Sequence, residues 1–156
     1  MRLAYWHPTS RLTRVVQKLG DLMEARYLNV DCILRSKHSL TELLSYLDNE
    51  IFILWNDSDT DINSIGFETK LLNTKSPEED ISKFLSLFES LPPALSKLLK
   101  TYDEKILDIG FESGDQGAPM EACLDSLMLA RISSLGFNVG MRIYPQGPDS
   151  ALVGRQ

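Results

Sequence analysis

The acidic residues between positions 57 and 68 have the spacing that comes nearest to a recognisable chemical motif. Asp57, Asp59, Asp61 and Glu68 fall at positions 1, 3, 5 and 12 of a calcium-binding loop. Position 6, where the sharp turn of that loop requires glycine, is Ile62, and the flanking segments are predicted as strands rather than as two helices. We therefore expect no metal site here. A solvated acidic loop and a patch that faces a partner both remain open.

Residue types that ligate zinc or carry out nucleophilic catalysis are scarce. The histidines are His7 and His38, and the cysteines are Cys32 and Cys123. Their positions give no Cys/His spacing typical of structural zinc and no nucleophile motif beside a base. Both cysteines lie in apolar patterns, so we expect both to be small buried side chains.

Two further carboxylate arrangements are weighed as sites. Asp108 and Glu112 could act as an acid–base pair if they shared a cleft, but strand alternation predicts that both lie on an exposed polar face. The segment 113–117 contains two glycines before a predicted helix, yet it matches no phosphate-binding pattern, and Asp115 would repel a phosphate. We expect no catalytic residues and no cofactor, and hence a protein that is not an enzyme.

The charge is unevenly distributed along the chain. The net charge is −6, but residues 1–20 contain four basic residues and no acidic one, which leaves 12 basic against 22 acidic side chains in the remainder. Such an acidic surface disfavours binding to nucleic acid and favours a basic protein partner. Solubility is the alternative explanation of the same charge.

The sequence gives no sign of a membrane or secretory role. The longest unbroken apolar run, residues 51–55, is too short to span a bilayer. The chain shows neither a signal-peptide pattern nor a set of cysteines that would form a disulfide framework. We therefore expect a cytoplasmic protein.

The two ends of the chain are predicted to lie outside the main domain. Apolar residues recur at helical spacing from Leu12 to Met23, which predicts an amphipathic N-terminal helix within residues 1–25. A translation start at Met23 is an alternative that would remove most of this segment. Residues 146–156 are predicted to be a flexible tail.

Between the ends, periodicity predicts a single α+β domain over residues 26–145. The predicted element order from residue 28 is βαββαβ followed by αβ. It predicts a mostly antiparallel sheet of about five strands with helices on one face, as a ferredoxin-like split βαβ unit with an added αβ unit. Residues 56–64 are predicted as a loop, Ser39–Glu42 as a capping box, and Pro119 as the first residue of a helix that ends at Gly136.

The tetrapeptide Ile-Gly-Phe-Glu occurs twice, at Ile65–Glu68 and at Ile109–Glu112, each time on a predicted strand. A faint duplication of a βα unit and a coincidence between two similar units are both compatible with two copies.

The segment from Lys105 to Tyr144 carries a resemblance to a known family. It reads Ile-Leu-Asp-Ile-Gly-Phe-Glu on a strand, Ser-Ser-Leu-Gly at a helix end, and Phe-Asn-Val-Gly-Met-Arg-Ile-Tyr-Pro on a second strand. It resembles the C-terminal part of small bacterial immunity proteins that accompany polymorphic or contact-dependent growth-inhibition toxins. Residues 24–145 are similar to them in size and element order, whereas the N-terminal helix is not part of the pattern.

The resemblance implies a protein that binds and neutralises the C-terminal domain of a cognate toxin, often a nuclease. Carboxylates suit this role because they can mimic phosphates against a basic cleft. Trp55 is either an aromatic anchor in the interface or a core residue. The residues expected to bind the partner are Asp57, Asp59, Asp61, Glu68, Asp108, Glu112, Asp115 and Tyr144.

Two other functions remain open. A structural or regulatory module would self-associate through an exposed strand edge. A small enzyme with an unrecognised carboxylate site would have a concave pocket that holds perturbed carboxylates.

Overall fold

The computed structural model describes residues 24–59, 61–70, 76–114 and 119–145. Within these ranges the strands are β1 Arg26–Ser36, β2 Ile51–Asp59, β3 Ile62–Thr69, β4 Glu104–Glu112 and β5 Asn138–Tyr144. The helices are α1 Thr41–Leu47, α2 Pro77–Glu89, α3 Pro93–Lys100 and α4 Ser126–Leu135.

The strands form one five-stranded sheet in the order β2-β3-β1-β4-β5. The pairs β2/β3, β3/β1 and β1/β4 are antiparallel, and β4/β5 is parallel. The α+β class and the mostly antiparallel sheet are therefore confirmed, while the ferredoxin-like assignment stays a prediction. Because β1 lies at the centre of the sheet, its side chains meet those of β3 on one side and β4 on the other.

Strand alternation gives the sheet one apolar face, and the helices pack on it. Cys32 and Leu34 of β1, Phe67 of β3 and Leu107 of β4 are fully buried there. The apolar stripe of α2 joins the same core through an aromatic series in which Phe67, Phe84, Phe88 and Phe137 contact one another in turn. The opposite face, which we call the open face, carries the polar residues of the same strands.

The repeated tetrapeptide has the same position in two strands that flank β1. In β3 and β4 alike, the isoleucine and phenylalanine lie on the core side, and the glycine and glutamate lie on the open face. A Cβ atom at Gly66 would overlap the Trp55 ring, and one at Gly110 would meet Asn29 Oδ1 at 2.7 Å. Each glycine thus leaves room for a side chain from the neighbouring strand to lie across the open face.

The predicted loop at residues 56–64 is wrong, because most of it is paired in a hairpin. Strand β2 continues to Asp59, and β3 begins at Ile62. Antiparallel pairing is made by the backbone, so a strand that is open to water on one face does not need apolar side chains to continue.

The predicted helix start at Pro119 is also wrong. Residues 119–125 are not helical, and α4 begins at Ser126 behind Asp125, whose Oδ1 accepts a hydrogen bond of 2.7 Å from the Met128 amide. Cys123 lies in this irregular segment and is exposed, contrary to the expectation of burial, whereas Cys32 is buried.

The capping box at the start of α1 does not form as expected. The N-cap is Leu40, and its side chain makes no capping bond. Ser39 Oγ instead accepts from the Thr41 amide at 3.2 Å.

Two predicted segments fall outside the described residues, namely the N-terminal helix over residues 1–23 and the tail over residues 146–156. Glu24 and Ala25, which the prediction included in that helix, are not helical. None of the helices in the described ranges is both long and apolar enough to cross a membrane.

Candidate functional site

Three carboxylates lie side by side on the open face, one on each of the three central strands. Asp31 of β1 is the Cα partner of Asp108 on β4. On its other side, Cys32 pairs with Phe67, which places Asp31 next to Glu68 of β3. We call Glu68, Asp31 and Asp108 the acidic row. Neighbouring strands are about 5 Å apart, so three like charges in a row repel one another.

The middle carboxylate of the acidic row has a strongly perturbed pKa. Partial burial raises the pKa of Asp31 from 3.8 to about 7, and the charge of Glu68, a hydrogen bond with Glu68 and the charge of Asp108 add to the shift. Arg142 acts in the opposite direction. Near neutral pH, Asp31 is therefore protonated for part of the time.

An asparagine amide joins the two carboxylates of this pair. Asn29 Nδ2 donates to Asp31 Oδ1 at 2.8 Å and also donates to Glu68 Oε1. One neutral amide supplies hydrogen bonds but no positive charge, so it does not neutralise the pair.

Asp108 and Glu112, two acidic residues of β4 on this face, are paired with arginines. Arg142 Nε lies 2.6 Å from Asp108 Oδ2, and Arg26 Nε lies 2.6 Å from Glu112 Oε2. Asp108 and Glu112 are only 7% and 8% exposed, so the expectation that they stand free on the surface is wrong. The arginines, which are themselves more than half exposed, cover the carboxylates and neutralise them.

Among the described residues, no lysine or arginine forms an ion pair with Asp31 or Glu68. A cationic group from another molecule would therefore find two carboxylates in place, one of them ready to release a proton. The site is suited to bind a guanidinium or ammonium group.

A shallow depression of about 650 Å³ gives access to this pair. Asp31 and Glu68 line it together with Tyr144, which is 44% exposed, and Arg26. Leu28 also lines it, because a β-bulge at Leu28 shifts the register of β1 and leaves that side chain exposed instead of buried on the core face.

An aromatic side chain lies on the same face nearer to the edge strand. The Trp55 ring covers Gly66 and remains 40% exposed. The core alternative for Trp55 is therefore wrong, and the alternative of an interface anchor stays a prediction.

The remaining predicted residues are not gathered with the acidic row. Asp57 is exposed in β2 opposite Ser64, which lies four residues before Glu68, or about 13 Å along the strand. Asp61 is exposed in the turn that follows β2. Asp59 is the last residue of β2, and its side chain and all of Asp115 lie outside the described part of the chain.

The calcium-loop spacing is thus spread along a hairpin. Its first residues lie at the turn, and Glu68 lies near the far end of β3. In the described ranges, no group of three or more His, Cys, Asp or Glu residues could hold a metal ion.

Sequence reasoning missed the residues that make the acidic row unusual. Asn29 and Asp31 alternate with buried apolar residues of β1, but nothing in their own segment identifies Glu68 as a neighbour. The signal that could have found them is the combination of alternation in β1 with antiparallel pairing to β3, which brings the two polar faces together.

Comparison with profiles of known protein families, with curated protein sequences and with solved structures found no match for this chain.

Proposed function

We propose that this chain is an immunity-type protein that binds and neutralises a cognate toxin domain through the open face of its sheet. The observation that carries the proposal is the Asp31–Glu68 pair, two neighbouring carboxylates that lack an ion-pair partner within the described residues. Like charges placed together on adjacent strands lower stability, and such local conflicts are expected at functional sites.

The chemistry of the pair indicates a basic partner. A guanidinium group from the partner would bind both carboxylates and would replace the proton on Asp31 as the neutralising charge. Trp55 and Tyr144, on the same face, would supply aromatic contact area around this charged centre. The surplus of acidic residues in the chain would speed the encounter with a basic toxin domain, such as a nuclease with a positively charged cleft.

The test is co-expression of this chain with the C-terminal domain of a large reading frame adjacent to its gene. We expect the chain to restore growth of cells that produce the domain, and the two proteins to elute as one complex in size-exclusion chromatography. If the domain is toxic and neither rescue nor complex is seen, the chain does not neutralise it and the proposal fails for that domain.

Three double variants locate the interface. Asp31→Asn with Glu68→Gln removes the charge of the pair and should weaken binding by about tenfold or more, as measured by calorimetry. Asp57→Asn with Asp61→Asn tests the hairpin end. Glu42→Gln with Asp48→Asn, at exposed positions of α1 and its C-cap, changes the net charge by the same amount and should leave affinity nearly unchanged.

Because removal of the like charges should stabilise the fold, weaker binding by the first variant cannot be attributed to unfolding. If the affinity is unchanged in the Asp31→Asn/Glu68→Gln variant and falls in the hairpin variant, the interface lies at the hairpin end and not at the acidic row.

A second function is favoured by the edge strand β2. Phe52, Ile53 and Leu54 are all close to half exposed on a strand that has no neighbour on its outer side within the described residues. An apolar exposed edge can pair with another strand, as a self-associating regulatory module would require. Light scattering that shows a concentration-dependent dimer, abolished by Ile53→Lys, would support this function.

The enzyme alternative is favoured by the raised pKa of Asp31 alone. The depression that holds this carboxylate is open, and the described residues that line it include no His, Cys, Ser or Lys. The proposal therefore assigns Asp31 to binding, without a catalytic role.

A further inference from the structure

A second surface feature lies on the core side of the sheet, away from the acidic row. An apolar groove of about 420 Å³ is lined by Phe111, Met120, Ala122, Met141 and Ile143. Ala25, close to the start of the described chain, also lines it.

Within the described residues, the outer strand β5 is left exposed along most of its length. The register pairs Met141 with Ile109 and Ile143 with Phe111, so these side chains point to the same side as the buried core. Nevertheless Met141 is 65% exposed and Ile143 is 67% exposed. Contiguous apolar surface of this kind marks a place where another segment or molecule packs.

The residues that precede Ala25 match the groove in pattern and in length. Apolar residues recur at helical spacing between Leu12 and Met23. A helix over residues 10–22 would be about 20 Å long, and the seven residues of β5 span about 23 Å. Since Ala25 already lines the groove, the segment needs no linker to reach it.

The charges of the two parts are also complementary. Residues 1–23 contain Arg2, Arg11, Arg14 and Lys18 against one acidic residue, Asp21. Glu121 lies exposed between Met120 and Ala122 of the groove, and Asp125 is exposed two residues beyond Cys123. Because Glu121 is flanked in sequence by two residues that line the groove, a basic amphipathic segment in the groove would have an acidic side chain close by as well as apolar contacts.

We propose that the groove is the docking site of residues 10–22 of the same chain, with Val15 and Leu19 against Met141 and Ile143. The N-terminal segment would then have a structural role, because it would complete the layer that covers the core side of β5.

The native Cys123 allows a direct test in the full chain. Cys32 is fully buried and burial raises the pKa of its thiol, so a nitroxide reagent should label the exposed Cys123 alone. Cys123 directly follows Ala122 of the groove. We expect the label to reduce the amide signal intensities of residues 12–22 at least twofold in ¹⁵N–¹H spectra, with recovery after reduction of the nitroxide.

Two matched double variants give the control. Val15→Asp with Leu19→Asp changes the apolar stripe and should restore the intensities, while signals from β1 and β4 that keep their positions show an intact fold. Thr13→Asp with Gln17→Asp adds the same charge at the same spacing outside the stripe and should leave the broadening in place.

Full intensities for residues 12–22 in the labelled wild type would overturn the proposal. So would broadening that appears when a ¹⁵N-labelled, nitroxide-free chain is mixed with an unlabelled chain that carries the nitroxide, because that result assigns the groove to a second copy.

Discussion

At the scale of single residues, the repulsion between the carboxylates of the acidic row lowers the stability of the fold. Asp108 has Arg142 as an ion-pair partner, whereas no lysine or arginine of the described ranges forms an ion pair with Asp31 or Glu68, which both accept from the amide of Asn29. Since the pKa of Asp31 is raised, the group contributes stability that is complete below its ordinary pKa of 3.8 and is lost as the pH rises to about 7. Ionisation of Asp31 near neutral pH therefore opposes folding.

Replacement of Asp31 by Asn should stabilise the protein in a pH-dependent way. An amide cannot ionise, and its oxygen can still accept the bond from Asn29. We expect the free energies of unfolding of variant and wild type to agree at pH 3.5 and to diverge as the pH rises. At pH 8 the value for the variant should be higher by about 1 kcal/mol. This value is well below the full linkage value because the site is open to water. Urea unfolding followed by circular dichroism at several pH values measures it.

The control is Asp61→Asn in the exposed turn between β2 and β3, which should change stability by less than about 0.5 kcal/mol throughout this range. A gain for Asp31→Asn that is equal at all pH values would show that the ionised carboxylate is not the source of the cost.

The separate residues of the candidate site were only partly predictable. Alternation places Asp108 and Glu112 on one face of β4, and the structure agrees. Their burial was not predictable, because the arginines that cover them come from β5 and from the first residue of β1. Such pairs depend on the register between strands, which a single segment does not contain.

At the scale of elements, capping chemistry explains one correct prediction and one wrong one. Ser76 and Pro77 predict the start of α2, and Ser76 Oγ accepts a hydrogen bond of 3.3 Å from the Glu79 amide. Ser39 was expected to cap α1 in the same way. Its hydroxyl oxygen instead accepts from the Thr41 amide, and the N-cap is Leu40, one residue after Ser39. The same side chain can form a cap or a local turn, and the local backbone conformation decides between them.

The substitution Ser76→Ala should lower the free energy of unfolding by about 1 kcal/mol, because the amide of Glu79 loses its partner at the helix N-terminus. Thermal unfolding measures the difference.

Ser134→Ala in α4 is the matched control for this cap. Its hydroxyl bonds to the Arg131 carbonyl within a helix, and alanine has the higher helix propensity, so stability should be unchanged or slightly raised. Equal losses in the two variants would mean that the cap at Ser76 contributes nothing specific.

The elements themselves were predicted better than their ends. A continuous apolar run at residues 51–55 identified β2, while alternation identified the other strands and apolar stripes identified the helices α1, α2 and α3. The hairpin between β2 and β3 and the irregular segment before α4 were missed. In both places backbone hydrogen bonding, which leaves no apolar pattern, determines the structure.

At the scale of the whole molecule, the aromatic series ties the distant parts of the chain into one core. Phe67 on β3 contacts Phe84 on α2, and Phe88 on the same helix contacts Phe137 at a centroid distance of 4.8 Å. Phe137 directly precedes β5, so the outer αβ unit is joined to the central sheet through α2. The described chain should therefore unfold as one cooperative unit.

The substitution Phe88→Leu tests this coupling, because Phe88 is 1% exposed and bridges the two parts. The smaller side chain should lower the free energy of unfolding by about 1–2 kcal/mol. The loss should be the same in urea titrations followed by far-ultraviolet circular dichroism and in hydrogen-exchange measurements on the β5 amides.

The control is Phe52→Leu, at a residue of β2 that is 45% exposed. It should lower the free energy of unfolding by less than about 1 kcal/mol, mainly through the lost contact with Lys70. A variant in which β5 exchanges freely while β1 and β4 stay protected would instead show that the outer αβ unit opens independently of the central sheet.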